Sequence, residues 1–255
     1  MRRKLLIALV LLITLSSFGA AAAMAADPIP DIGIQIGGSG TGTGEPGGST
    51  TLSILLLITI LSVAPAILIL MTSFTRIVIV LGFVRTSLAT NQMPPNQVLV
   101  GLALFMTLFV MSPTLSELNT VALQPYLKGE MTQTAALQKA AEPMKKFMAK
   151  QTREKDLLLF LKYSKSPKPA TYKDIPIHVL VPAYAISELK TAFQMGFMIF
   201  IPFLVIDMVV SSTLMAMGMM MLPPVMISLP FKILLFILVD GWYLVVKSLL
   251  LSFNT

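Results

Sequence analysis

Cysteine is absent from this chain of 255 residues, and histidine and tryptophan occur once each. A disulfide framework needs paired cysteines, and a structural zinc or multi-histidine centre needs several Cys or His ligands, so both are excluded by count. Charge is scarce as well. Only 12% of the residues are Asp, Glu, Lys or Arg, against 55% hydrophobic residues and a mean hydropathy of +0.82. A soluble domain carries about 25% charge, so the composition points to a membrane-associated protein. GxSxG and HExxH are both missing, and no pair of acids flanks a recognisable pocket sequence, which leaves no enzymatic constellation and no cofactor motif.

The formal charge of +7 invites a nucleic-acid reading until it is divided by segment. Residues 1–26 read as a cleavable secretory signal peptide: Arg2, Arg3 and Lys4 precede the apolar run Leu5 to Leu15, and Ala23 and Ala25 sit at the small-residue positions before cleavage. Removing that segment leaves 16 basic against 12 acidic residues, too small an excess to imply nucleic acid. Residues 27–50 hold eight of the 15 glycines and read as a flexible tether. No Gly-Lys-Ser/Thr ending follows them, so they are not a phosphate-binding loop.

Four apolar stretches make up most of the remainder. Thr51 to Thr75 runs for 25 residues without a charge and continues past Arg76 into IVIVLGFV and Arg85, so the first helix is expected to extend well beyond one bilayer. Val98 to Met111 is only 14 residues before Ser112-Pro113, short of the ~20 that cross a bilayer core. Thr191 to Met221 is interrupted by Gly196, Pro202 and Asp207, and Val225 to Leu251 carries Lys232, Asp240 and Lys247. The organisation that follows is an apolar helical hairpin at 51–112, a polar helical region at 113–187 and a second apolar hairpin at 188–255. No strand pattern of useful length is present, and the fold class is all-α.

The polar region contains 11 Lys or Arg and six Asp or Glu. Leu137, Ala141, Met144 and Met148 recur at helical spacing, LLLFL at 157–161 suggests a second amphipathic helix, and Pro167 and Pro169 mark a loop. At 75 residues this region is too long for the positive-inside rule, which counts loops up to ~60 residues. Four crossings from an external N-terminus place it outside the inner membrane. Arg76 and Arg85, and the segment leading to Lys232, are then the cytoplasmic loops.

Charges inside the apolar stretches conflict with a simple lipid-facing bundle. Each Lys or Asp at the centre of a lipid-facing helix costs about 2.5–3.5 kcal/mol, so Asp207, Lys232 and Asp240 are expected to meet partners on another helix or another subunit. Asp240 and Lys247 share a helical face but stand two turns apart, about 10.5 Å, too far for a direct pair. Glu188 and Lys190 point to different sides of a helix and are candidates for inter-helix or inter-subunit pairs, as are Arg76 and Arg85. Asp207, an acid within an apolar helix, is also a candidate for proton coupling, structural pairing being the plainer reading. His178 reads as a packed structural residue.

The segment LMAMGMMMLPP places Met215, Met217, Met219, Met220 and Met221 ahead of two prolines. Unbranched thioethers clustered in a turn can deform around a passing chain and close again, whereas on one helix face they would be core filling.

At this point two long segments carry a resemblance. PAYAISELKTAFQMGFMIFIPFLVIDMVVSSTLMAMGMMMLPPVMISLPFKILLF from Pro182, and SFTRIVIVLGFVRTSLATNQMPPNQVLVGLALFMTLFVMSP from Ser73, resemble the FliP family of flagellar type III secretion, from about Leu52 to the C-terminus. The resemblance implies a non-enzymatic subunit of the export gate in the bacterial inner membrane at the flagellar base. It implies a homo-oligomeric, pentameric ring assembled with FliQ and FliR and engaging FlhB and FlhA, through which unfolded substrates leave the cytoplasm. It also implies that Met215, Met217 and Met219 to Met221 line the constriction. A proton-coupled carrier of small solutes is the alternative class; it predicts internal repeats, and none relates the two halves.

Overall fold

The computed structural model describes residues 48–90, 93–167, 169, 171–219 and 222–253. The expected signal peptide, almost all of the tether, and Met220 and Met221 lie outside the described residues. The chain divides into Met1–Thr51 and Leu52–Thr255, and the architecture that follows is that of the second unit. It is all-helical, with no strand among the described residues.

Helix α1 (Gly48–Met71) does not run on through Arg76, as the uncharged sequence suggests. The Thr72 hydroxyl donates to the Ile69 carbonyl at 3.1 Å and accepts from the Phe74 amide at 3.4 Å, offering the backbone a local alternative to the helical ladder. The chain bends by 70° there and starts again as α2 (Phe74–Ser87). In α2, Ile77, Val80, Leu81 and Val84 are fully buried; their i, i+3, i+4, i+7 spacing is one apolar helix face. Arg76 and Arg85 therefore stand on a helix and not in a loop.

Helix α3 (Asn96–Leu118) passes through Pro113 and continues, by a π-helical turn at Asn119–Leu123, into the short α4 (Gln124–Leu127). The 14-residue expectation is thus replaced by an unbroken helical run of 32 residues, because one proline removes a single ladder bond without ending the helix. The polar region supplies α5 (Gln133–Gln151), started by Thr132, whose hydroxyl accepts from the Ala135 amide, and α6 (Glu154–Tyr163). A short turn at Tyr172–Asp174 carries a reciprocal Thr171/Asp174 cap, and the Thr171 hydroxyl holds the Asp174 carboxyl below its usual pKa.

Helix α7 (Ile177–Ala216) is one continuous helix of 40 residues, with Pro182 and Pro202 inside it. The interruptions expected at Gly196, Pro202 and Asp207 do not occur, and the expected boundary at residue 187 falls within this helix. At 1.5 Å per residue it is about 60 Å long, twice a bilayer core. Gly196 lets it approach α2, since a Cβ there would lie 2.3 Å from the Phe83 ring. Helices α8 (Pro224–Leu238) and α9 (Gly241–Leu251) follow, bent by 63° at Asp240. Asp240 adopts a left-handed conformation with φ of 51°. A Cβ on Gly241 would meet the Phe236 ring at 2.3 Å.

The main core joins Ile77, Val80, Leu81 and Val84 to Leu99 and Ala103 of α3, Ala192 and Phe203 of α7, Phe236 of α8, and Leu249 with Phe253 at the C-terminal end. A second cluster ties Met148 of α5 to Leu180 and Tyr184 of α7. Outside these cores the helices expose large apolar residues, including Phe105, Phe109, Phe193, Phe197, Met208 and Phe231. Only 11% of the most apolar 18-residue stretch of α7 is buried within the chain. By length and composition two helices among the described residues can cross a membrane, or up to four if each bent pair counts as one span.

Candidate functional site

Three features collect the residues that carry chemistry: a buried and a part-buried ion pair along α7 and the methionine turn at its end. The first ion pair joins Arg76 of α2 to Glu188 of α7. Arg76 Nε donates to Glu188 Oε2 at 2.8 Å, and Nη2 closes the fork on Oε1. Nη2 also donates to Gln151 Oε1 at 3.1 Å, and Nη1 to the Ser252 carbonyl at 2.9 Å and hydroxyl at 3.0 Å. All five guanidinium N–H groups are thereby satisfied. The Phe253 ring lies 4.0 Å from the guanidinium carbon, a cation–π contact. Gln151 Nε2 donates to the Phe253 carbonyl at 3.1 Å, and the Tyr184 hydroxyl to the Thr72 carbonyl at 2.9 Å. One side chain so binds the first apolar hairpin, the end of α5, α7 and the C-terminal tail.

The second pair joins Asp207 of α7 to Lys232 of α8, Nζ to Oδ2 at 2.7 Å. The Ser228 hydroxyl donates to Asp207 Oδ1 at 2.6 Å, and Lys232 Nζ also reaches the Ser87 carbonyl at 3.3 Å. That carbonyl belongs to the last turn of α2, where unpaired C=O groups and the helix dipole favour a cation. Arg76 does the same for α9 through Ser252. Glu188 and Asp207 are 19 residues apart on α7, about 28 Å of helix.

The methionine turn is built on a Schellman cap. Gly218 has φ of +73°, its N–H donates to Met215 O at 3.0 Å, and Met219 N–H donates to Leu214 O at 3.0 Å, the paired 5→2 and 6→1 bonds of that motif. Pro224 opens α8 at its first position, where the missing N–H costs nothing. Met215, Met217 and Met219 stand exposed around this cap.

The sequence matches the FliP family over residues 57–249. The chain belongs to that family. It is 70% identical over 205 residues to the flagellar biosynthetic protein FliP of Bacillus subtilis (strain 168), an alignment covering 80% of this chain and 93% of that one. It is 51% identical over 227 residues to the flagellar biosynthetic protein FliP of Pectobacterium carotovorum subsp. carotovorum, covering 88% of each. With the flagellar biosynthetic protein FliP of Aquifex aeolicus it shares 44% over 236 residues, covering 92% of this chain and 96% of the other.

In this FliP-family chain the candidate residues divide into three groups. Arg76, Glu188, Asp207 and Lys232 find their partners on other helices of the same chain. Arg76 and Lys232, used above to orient the chain as loop charges, are buried in helices, so neither counts as a loop charge. Arg85 hydrogen-bonds to Asn96 and, at 3.5 Å, to the Pro94 carbonyl. Lys190, Asp240 and Lys247 are exposed; none makes a salt bridge among the described residues, and Lys247 lies 5.7 Å from the Tyr243 ring. His178 is exposed and not packed. Sequence reasoning missed Gln151, Ser228, Ser252 and Phe253. Ser228 stands four residues before Lys232, a helical neighbour that could have been found; the C-terminal pair carries no local signal.

Gly218 offers a direct check on the turn. A left-handed residue with a Cβ costs about 1–2 kcal/mol, so Gly218→Ala is expected to lower thermal stability by that amount in detergent, and Gly218→Asn by less. Equal melting of the alanine variant and the parent would show that the cap does not hold the turn.

Proposed function

We propose that the chain is a core subunit of the flagellar type III protein export gate in the bacterial inner membrane, without enzymatic activity of its own. Several copies form a ring with FliQ and FliR, engaging FlhB and FlhA, and unfolded flagellar proteins pass through it. Family membership supports the export role over a carrier of small solutes, because the relatives are flagellar biosynthetic proteins. The observation that carries the subunit reading is the apolar surface: α7 buries little of its apolar length in its own chain and exceeds a bilayer twofold. Such a helix is stable where sister helices cover part of it.

In this reading Met215, Met217, Met219, Met220 and Met221 from each copy meet at the axis and form a compliant collar. The exposure of Met215, Met217 and Met219 around the Gly218 cap supports that role, since flexible thioether side chains yield to any sequence. Replacing Met219, Met220 and Met221 with glycine is expected to raise ion conductance across membranes carrying the assembled gate while secretion persists. Conductance equal to the parent gate in that variant, with normal secretion, removes the collar.

A further inference from the structure

Asp240 is the one acid of the two apolar hairpins that no base of the described chain pairs. It occupies the bend between α8 and α9 in a left-handed conformation, with φ of 51° and ψ of 54°. Its backbone is engaged: the Asp240 N–H donates to Ile237 O, and its carbonyl accepts from the Leu244 N–H, both at 3.1 Å. Its carboxylate caps nothing. Around it Ile237, Leu238, Val239, Tyr243 and Leu244 are all exposed. A lone charge ringed by exposed apolar side chains is stable only if the surface that covers them brings a cation.

We infer that Asp240 of one copy pairs with Lys247 of a neighbouring copy, fixing the register of a head-to-tail contact between adjacent α8–α9 elbows. The inference rests on the ring proposed above. Charge complementarity selects a second copy as the occupant, because the same hairpins leave three bases without an acid, Arg85, Lys190 and Lys247, and Arg85 is already engaged by Asn96 and the Pro94 carbonyl. Height selects Lys247. Lys232 touches Asp207 across the antiparallel α7–α8 hairpin, so Asp240, eight residues further along α8, is level with residue 199 of α7. Lys190 stands about 13 Å beyond that level. Lys247 is about 10.5 Å along α9 from Asp240, and the 63° bend turns most of this sideways, leaving a height difference of about 5 Å. A lysine's four-carbon stem spans that gap. The sideways part separates the two groups within one copy. A heterologous contact of this kind closes a ring when its rotation, repeated around an axis, completes a full turn.

The test uses the full chain co-expressed with its export-gate partners, reading copies per particle by native mass spectrometry and flagellar export by motility. Asp240→Asn keeps the backbone, because asparagine tolerates the left-handed conformation, and is expected to reduce the yield of complete rings at least tenfold with no change in helix content. Asp240→Lys and Lys247→Asp are each expected to abolish ring assembly, and the double reversal to restore it. Restoration identifies the contact as one between copies, since the two groups do not meet within one. A wild-type ring that Asp240→Asn also forms at full yield overturns the ion pair alone, as does a double reversal that stays unassembled. A wild-type chain that gives no oligomer overturns the ring itself.

Discussion

Arg76→Ala is expected to destabilise the folded chain by about 3–5 kcal/mol. Both side chains of the Arg76–Glu188 pair are at most 2% exposed, so removing the guanidinium leaves a carboxylate buried without its counter-ion. The loss spreads beyond the pair: Gln151 and both oxygens of Ser252 lose their donor, and the Phe253 ring loses the cation beneath it. Arg76→Lys is expected to fall in between, because an ammonium has three donors and cannot reproduce the planar fork. Arg76→Met combined with Glu188→Leu is expected to recover most of the loss, since deleting both charges removes the desolvation penalty along with the attraction. Thermal unfolding in detergent, with chain abundance in membranes as a second readout, measures the series. An Arg76→Ala chain that melts with the parent would show that this node does not hold the hairpins together.

Asp207→Ala is expected to cost more than Lys232→Met, although both break the same ion pair. The two ends are buried to different degrees, with side-chain exposures of 3% for Lys232 and 29% for Asp207. Deleting Asp207 strands an ammonium whose remaining acceptor is the Ser87 carbonyl, a loss of about 3–5 kcal/mol. Deleting Lys232 leaves a carboxylate that solvent reaches and that still accepts from Ser228. The loss is then about 1.5–3 kcal/mol, that of a hydrogen bond to a charged group. The comparison is made by denaturant or thermal unfolding of the two variants side by side. The reverse order would mean that Asp207 is the more buried partner in the assembled protein.

The helical class was legible because apolar runs separated by proline and glycine leave no alternation for strands. The ends of individual helices were less so. Pro113 and Pro202 looked like breaks, yet each sits inside a helix, since one missing N–H is a small loss against the rest of the helical ladder. Thr72 looked innocuous and marks a 70° bend. Candidate charges could be picked out by their apolar surroundings, but not paired. Arg76 and Glu188 are separated by 112 residues, and nothing local reports that distance.

By itself the sequence determined that this is an apolar, all-helical chain with a methionine-rich turn and a few charges that require partners, because hydropathy, proline placement and residue chemistry are local properties. Tertiary structure alone decided which charges are neutralised within the chain and which are left facing outward. It did so by bringing α2 against α7 closely enough to bury one guanidinium, α7 against α8 closely enough to bury one ammonium, and by leaving Asp240 exposed at the bend between α8 and α9. Burial and pairing depend on which helices meet, and that is set by packing over the whole chain.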